Sequence, residues 1–176
     1  QAAALEEEGR EVVKQFVEAG GGYVGICAGA FLAASNYSWS LGISNHKTFC
    51  ETIDVSGIGR KSMWFRGGSA PVTMELTDEG RKILGDFEGV FEVRYQNGPI
   101  MSPMGREGLG NFRSLSHFRS EVSKYKPQEG TMVNTPAVIV GEYGNGRVLC
   151  ISPHPESTDA LNRLVQNAVR WTARRR

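Results

Sequence analysis

Residues 20–35 carry three consecutive glycines, a short apolar run and a single cysteine where a predicted strand meets a predicted helix. The run 23–26 is typical of a buried strand, and the alanine-rich segment after Cys27 is compatible with a helix packed beneath a sheet. Gly25 and Gly29 flank Cys27, so the backbone can take the tight turn that exposes a nucleophile. A helix N-terminus behind the thiol favours thiolate. The corner therefore predicts nucleophilic catalysis by Cys27, against the alternative of a structural cysteine whose glycines only permit close packing.

A nucleophilic cysteine needs a general base, and the chain contains three histidines. His154 follows the apolar run 148–151, which places it just past the carboxyl end of a predicted strand. Glu156 lies two residues further on, where an extended backbone puts its carboxylate on the same face as the imidazole. Because parallel strands return their carboxyl ends to one edge of a sheet, such a sheet can bring this pair to Cys27.

Four segments carry a resemblance to known proteins: Gly22 to Phe31, Val93 to Pro99, Pro136 to Val148 and Ile151 to Glu156. They are similar to the class I glutamine amidotransferase-like superfamily. Within it they most resemble the family named after the N-terminal domain of some biotin–protein ligases. The resemblance implies a flavodoxin-like three-layer sandwich, a triad of Cys27, His154 and Glu156, and an oxyanion donor at the backbone N–H of Ala28.

The same resemblance suggests that an Arg-Tyr-x-Asn-Gly segment lines the substrate pocket, which here indicates Arg94, Tyr95 and Asn97. An arginine at this place can pair with a substrate carboxylate. The alternative is that Asn97 and Gly98 supply turn chemistry and that Arg94 is a surface charge. The sequence leaves both interpretations open.

Proteins similar to this chain usually begin with a strand, a helix, a second strand and a glycine-rich loop before the helix that here starts near Ala2. The chain begins at Gln1, so we expect these elements to be missing from an N-terminally truncated domain. The loop is where the resemblance places the second oxyanion N–H. A sheet edge uncovered in this way needs an N-terminal segment or a partner chain to cover it.

The length of the chain and the spacing of its hydrophobic residues limit the folds that it can adopt. With 176 residues and 40% hydrophobic content, the chain can bury one sizeable core, so a single domain over 1–176 is expected. Alternating helical and strand patterns predict an α/β fold with a mostly parallel sheet. The runs 137–140 and 147–151 flank Gly-Asn-Gly at 144–146 and predict a β-hairpin near the C-terminus.

Local signals complete the prediction of secondary structure. Thr77 is predicted to cap a helix, and Ser157 or Thr158 to cap the terminal one. The run 48–55 is predicted as a strand that contains a half-buried Cys50.

The remaining cysteine and the two other histidines are interpreted as structural or surface residues. Cys150 is expected to pack as a small hydrophobe, and the odd number of cysteines argues against a disulfide framework. His46 is interpreted as a loop residue and His117 as a surface or hydrogen-bonded one.

Charge and hydropathy exclude several partners. Lys and Arg number 20 against 19 Asp and Glu, which gives no electrostatic footprint for nucleic acid. The arginines at 174–176 are interpreted as a solvated helix end. No apolar run is long enough to span a bilayer, so no membrane partner is expected. No cofactor or metal is expected, because the cysteine spacings form no zinc pattern. The cytoplasm is the default compartment, and a signal peptide ahead of Gln1 is left open.

Two classes of function follow. The first is a cysteine-dependent amidase or amidotransferase-like hydrolase that acts on a small amide through Cys27, His154 and Glu156. The second is a non-catalytic ligand-binding or regulatory domain that retains the triad positions without turnover. Nothing in the sequence favours glutamine as substrate, and it shows neither a biotin site nor a ligase module.

Overall fold

A computed structural model describes residues 2–63, 68–122 and 130–173 of the chain. In these ranges the chain is an α/β protein, and its elements are α1 (Ala2–Glu18), β1 (Gly22–Ile26), α2 (Ala28–Ala33), β2 (His46–Thr48), β3 (Glu51–Val55), β4 (Gly59–Met63), β5 (Ser69–Leu76), α3 (Asp78–Leu84), β6 (Val90–Gln96), β7 (Met101–Pro103), β8 (Arg113–Phe118), β9 (Pro136–Tyr143), β10 (Gly146–Ile151) and α4 (Asn162–Thr172). Two 3-10 turns, Pro155–Ser157 and Asp159–Leu161, separate β10 from α4. The arginines at 174–176 lie outside the described residues.

The main sheet is mixed, which corrects the prediction of a mostly parallel one. Among the described residues it has six strands in the order β1-β10-β9-β8-β5-β6. Within the described part of this sheet, β1 and β10 form a parallel pair and the other neighbouring pairs are antiparallel. The predicted hairpin is confirmed, since β9 and β10 pair in antiparallel register from the turn at 144–145.

The length of α3 explains why the alternating pattern misled the sequence prediction. An eight-residue strand such as β5 spans about 26 Å at about 3.3 Å per residue. The seven residues of α3 rise only about 10 Å at 1.5 Å per residue. The helix is too short to return the chain to the start of β5, as a parallel crossover requires. β6 therefore begins where β5 ends and runs back beside it.

Helices pack against both faces of the sheet. The side chains of Val148 and Cys150 face a core that contains Val17 of α1 and the three buried residues of α2. Their neighbours Leu149 and Ile151 face the other core, with Leu84 of α3 and residues of α4. Because successive side chains of β10 point to opposite faces of the sheet, this one buried strand contributes to two apolar cores. The flavodoxin-like order of layers that the resemblance implies stays a prediction.

Several local predictions can be compared with the structure. Thr77 caps α3 as predicted, because its side chain accepts a 3.0 Å hydrogen bond from the backbone N–H of Gly80. The predicted cap of the terminal helix was wrong, since α4 begins only at Asn162 after two 3-10 turns.

The predicted strand over 48–55 is split into β2 and β3, and Cys50 lies exposed between them. His46 was predicted to lie in a loop, but it belongs to β2 and is fully buried. The pairing of β2 with β7, far away in sequence, places the histidine there.

The sheet curls strongly at the carboxyl end of β1. β1 and β6 are its opposite edges, about 24 Å apart in a flat sheet with 4.8 Å between strands. The Cys27 thiol, directly after β1, nevertheless donates a 3.5 Å hydrogen bond to the carbonyl oxygen of Gln96, the last residue of β6. The curl therefore brings the ends of both edge strands to one place.

Candidate functional site

Cys27 lies at the strained corner that the sequence predicts. Its backbone has φ 48° and ψ −101°, a conformation that costs a non-glycine residue about 1–3 kcal/mol. The Cys27 N–H donates a 2.8 Å hydrogen bond to the carbonyl oxygen of Ile151, and the Ala30 N–H donates a 3.0 Å hydrogen bond to the Cys27 carbonyl oxygen. The corner is thus anchored to β10 on one side and to the first turn of α2 on the other.

The two glycines beside Cys27 have different roles. A Cβ on Gly25 would lie 2.6 Å from the backbone carbon and oxygen of Gly29, and 2.8 Å from the ring of Tyr23. A Cβ on Gly29 would meet nothing closer than the Tyr23 hydroxyl at 3.7 Å. Gly25 is therefore required by close packing of β1 on α2, and Gly29 is not.

His154 and Glu156 form a hydrogen-bonded pair just past β10. Nδ1 of His154 lies 2.6 Å from Oε1 of Glu156, and the two side chains are 21% and 41% exposed. The turn Pro155–Ser157 carries the carboxylate round to the imidazole. A carboxylate on Nδ1 fixes the ring and leaves Nε2 as the nitrogen that can exchange a proton with a substrate or a thiol.

The parallel strands β1 and β10 end at one edge of the sheet. Ile26 and Ile151 are partners at the ends of β1 and β10, so Cys27 and His154 both follow the same sheet edge. Glu156 is near enough for its charge to act on the Cys27 thiol. Ala28 is the first residue of α2, and its N–H is among those at a helix start that have no acceptor within the helix.

The environment keeps the Cys27 thiol protonated. Burial raises its pKa above the ordinary value, and the Glu156 carboxylate raises it further, while the Ala28 N–H acts in the opposite direction. The hydrogen bond to the Gln96 carbonyl oxygen also uses the thiol proton. The start of α2 favours the thiolate through the Ala28 N–H, as expected, but burial has the larger effect and the pKa of Cys27 is raised on balance.

The three residues predicted to bind substrate lie close to this site but differ in accessibility. Arg94 is exposed, and its guanidinium donates a 2.7 Å hydrogen bond to the side chain of Gln96. Tyr95 has no exposed surface; its hydroxyl donates to the Gly98 carbonyl at 2.7 Å, and its ring packs edge-on against Phe118. The structure thus places Tyr95 in the core below the turn rather than on a pocket wall.

Asn97 supplies turn chemistry. Its backbone has φ 55°, a left-handed conformation that asparagine tolerates, and its N–H donates to the Gly68 carbonyl at 3.1 Å. Its side chain is half-buried.

Two contacts that join β6 to the site could not be predicted from local sequence patterns. The N–H of His154 donates a 2.7 Å hydrogen bond to the carbonyl oxygen of Arg94. Gly98 lies so close to Ser152 that a Cβ there would be 2.1 Å from the Ser152 carbonyl oxygen. Both depend on the curl of the sheet, which no local pattern encodes.

Neither a cluster of metal ligands nor a helix able to span a membrane occurs in the described residues. No three His, Cys, Asp or Glu side chains there converge as a set of metal ligands would. None of the described helices has the length and apolar character to cross a bilayer.

Comparison with known proteins gives the chain its family. The family model described as "Biotin-protein ligase, N terminal" matches residues 2–173. The chain belongs to this family. The biotin–protein ligase of Schizosaccharomyces pombe (strain 972 / ATCC 24843) is 22% identical over 150 residues, which cover 82% of this chain and 22% of the ligase. The chain therefore spans about a fifth of the length of this relative.

Solved structures share the fold of this chain. A ThuA-like protein from Bacteroides uniformis ATCC 8492 superposes with a TM-score of 0.59 at 19% identity, over 95% of this chain and 64% of that one. A β-galactosidase from Bacillus circulans sp. alkalophilus superposes with a TM-score of 0.55 at 14% identity, over 94% of this chain and 21% of the enzyme. At these identities the likeness concerns the fold alone.

Proposed function

We propose that the chain is a cysteine-dependent amide hydrolase or acyl-transfer domain of the class I glutamine amidotransferase-like type. The observation that carries this proposal is the strained, left-handed corner at Cys27, held at the same sheet edge as the hydrogen-bonded pair His154 and Glu156. Strain of this kind persists where the surrounding structure fixes it, and it concentrates at reactive positions.

The proposed chemistry uses these residues in sequence. Nε2 of His154 removes the Cys27 thiol proton while Sγ attacks the carbonyl carbon of an amide. The Ala28 N–H donates to the developing oxyanion. As the C–N bond breaks, His154 returns the proton to the leaving amine, and a thioester remains on Cys27. Water, deprotonated by His154, then attacks the thioester; the C–S bond breaks, and a carboxylic acid and the free thiol are released.

The raised pKa of Cys27 fits a thiol that is activated only when substrate is bound. Proton transfer to His154 requires the thiol to leave its hydrogen bond to the Gln96 carbonyl. A substrate that excludes water and presents a carbonyl at Ala28 supplies the reason for that change. Exposed Arg94 is the proposed contact for a negatively charged group on the substrate.

A second candidate is a ligand-binding or regulatory domain. Two observations favour it: Cys27 is a hydrogen-bonded thiol of raised pKa, and the family takes its name from a ligase of which this domain is one part. In this role the domain binds a carboxylate or amide near Arg94 and Cys27 without turnover, and biotin-related compounds are the first ligands to test.

Intact-mass spectrometry with an activated ester separates the two functions. p-Nitrophenyl acetate acylates a catalytic cysteine in a burst of nitrophenolate, followed by slow hydrolysis of the thioester. We expect an acetyl group on Cys27 that disappears in Cys27→Ala, and formation at least tenfold slower in His154→Ala. Cys50→Ser is the matched control, because Cys50 is a free and more exposed thiol.

A panel of small amides, including biotinamide and glutamine, then tests for release of amine or ammonia. Acylation at Cys27 that does not depend on His154, together with no release from any amide, would contradict hydrolysis. Saturable binding of a panel compound under those conditions would favour the regulatory role.

A further inference from the structure

The end of β6 contacts the segments that carry both Cys27 and His154. Within its last residues and the turn that follows, three alternate positions make the contacts. The Arg94 carbonyl oxygen accepts the His154 N–H at 2.7 Å, and the Gln96 carbonyl oxygen accepts the Cys27 thiol at 3.5 Å. Gly98 packs against Ser152, two residues before His154. One short stretch of backbone thus touches the two strand ends from which the proposed catalytic groups project.

The contact at Gly98 leaves no room for a side chain. A Cβ there would lie 2.1 Å from the Ser152 carbonyl oxygen, 2.7 Å from its hydroxyl oxygen and 2.8 Å from its carbonyl carbon. Gly98 does not have a positive φ, so the requirement for glycine comes from this approach and not from backbone conformation. The preceding Asn97 supplies the left-handed residue of the turn.

Ser152 has little freedom to move away from Gly98. It is fully buried, and its N–H donates a 2.9 Å hydrogen bond to the Ala137 carbonyl oxygen on β9. Pro153 follows with a fixed φ, so a displacement of Ser152 is transmitted to His154. On the other side, the buried hydroxyl of Tyr95 donates to the Gly98 carbonyl at 2.7 Å and holds the turn down.

We infer that Gly98 is a positioning residue: its lack of a side chain lets the turn after β6 seat against Ser152, which sets the place of His154 relative to Cys27. The catalytic meaning of this position rests on the proposed function, whereas the position itself does not. The interpretation of Asn97 and Gly98 as turn chemistry alone then holds for Asn97 and is incomplete for Gly98.

Gly98→Ala tests the inference, with Gly110→Ala as the matched control. Gly110 also has no positive φ, and a Cβ there would meet nothing within 4 Å. We expect Gly98→Ala to shift the imidazole NMR signals of His154, assigned by their loss in His154→Ala. We also expect it to slow acetylation of Cys27 by p-nitrophenyl acetate about tenfold or more. Gly110→Ala is expected to change neither, and adding Gly98→Ala to His154→Ala is expected to cause no further loss.

The two readouts separate failure of the inference from failure of the proposed function. Wild-type His154 signals in folded Gly98→Ala overturn the inference, whatever the acylation rate. Suppose that acylation depends on His154 and that Gly98→Ala shifts the His154 signals. An unchanged acylation rate in that variant then overturns the catalytic part of the inference. If His154→Ala acylates like the wild type, the proposed function fails, and the NMR shift alone then decides the inference.

Tyr95→Phe serves if Gly98→Ala does not fold. It removes only the hydroxyl that donates to the Gly98 carbonyl, so the turn is loosened without a clash. A smaller shift of the same His154 signals, with acylation slowed about two- to tenfold, is expected. Unchanged signals and rate in this variant overturn the inference.

Discussion

Nδ1 of His154 lies 2.6 Å from Oε1 of Glu156 across a single turn of 3-10 helix. The main-chain N–H of the same histidine is held at 2.7 Å by the Arg94 carbonyl oxygen. Ring and backbone are therefore fixed by different elements, the carboxylate after β10 and the end of β6. These two hydrogen bonds hold the imidazole in one orientation, and the proposed chemistry requires a fixed orientation for proton transfer.

Glu156→Gln is expected to slow acylation of Cys27 by p-nitrophenyl acetate about 10²-fold, at the low end of the range for general-base machinery. The amide still bonds the ring but no longer stabilises the imidazolium, and partial exposure of Glu156 screens the effect. Stopped-flow release of nitrophenolate measures the rate. Glu107→Gln, which changes an exposed carboxylate in the loop before β8, is the control. Equal rates in the two variants would remove Glu156 from the proposed triad.

Cys27 is expected to react with iodoacetamide only slowly near neutral pH. Its pKa is raised by burial and by Glu156, so the thiolate fraction grows about tenfold per pH unit until the pH exceeds that raised value. Rates for each cysteine are measured by peptide mass spectrometry between pH 6 and 10. A Cys27 rate that levels off below pH 8 would show a stabilised thiolate and contradict the protonated resting site.

The sequence predicted those parts of the fold that depend on local pattern. The corner at Cys27, the cap at Thr77 and the hairpin before His154 follow from glycine spacing, a hydroxyl at a helix start and a Gly-Asn-Gly turn. The direction of most strands could not be predicted, because it depends on whether a helix is long enough to cross back, and α3 is not.

In the candidate site, too, local contacts were predictable from the sequence and long-range contacts were not. The pairing of His154 with Glu156 is local and was predicted from their spacing. The contacts of Arg94, Gln96 and Gly98 with the site depend on the curl that joins the two edges of the sheet, which is a property of the whole sheet. The protonated state of Cys27 was missed for a related reason, since burial depends on packing that spacing does not show.

Gly25→Ala and Gly29→Ala are expected to differ sharply although the residues flank Cys27 symmetrically. The new Cβ at 25 clashes with the backbone of Gly29 and should cost about 1–3 kcal/mol in the free energy of unfolding. The one at 29 has room, and alanine gains up to about 1 kcal/mol of helix propensity within α2. Urea unfolding measures both. Similar losses in the two variants would contradict the close packing of β1 on α2.

The buried His46 is expected to make the fold sensitive to acid. Its Nδ1 lies 2.9 Å from the Ser44 hydroxyl oxygen, and burial lowers the pKa of His46 to about 4, although the Ala30 carbonyl acts in the opposite direction. In the unfolded chain the ordinary value is 6.5, so between these pH values the unfolded state binds more protons than the folded one. The stabilisation is therefore complete above about pH 6.5 and is lost as the pH falls toward 4.

The slope of stability against pH measures this effect. From pH 6.5 to 4, His46 should contribute up to 1.36 kcal/mol per pH unit to the decline in the free energy of unfolding, on the order of 3 kcal/mol in total. His46→Asn keeps a polar atom near Ser44 but cannot take up a proton, so its profile should be flatter by up to one proton even if it is less stable overall. His117→Asn is the comparison, because His117 is less buried and its pKa is lowered less. Parallel profiles for His46→Asn and the wild type would show that His46 binds its proton equally in the folded and unfolded chain, and would contradict the lowered pKa.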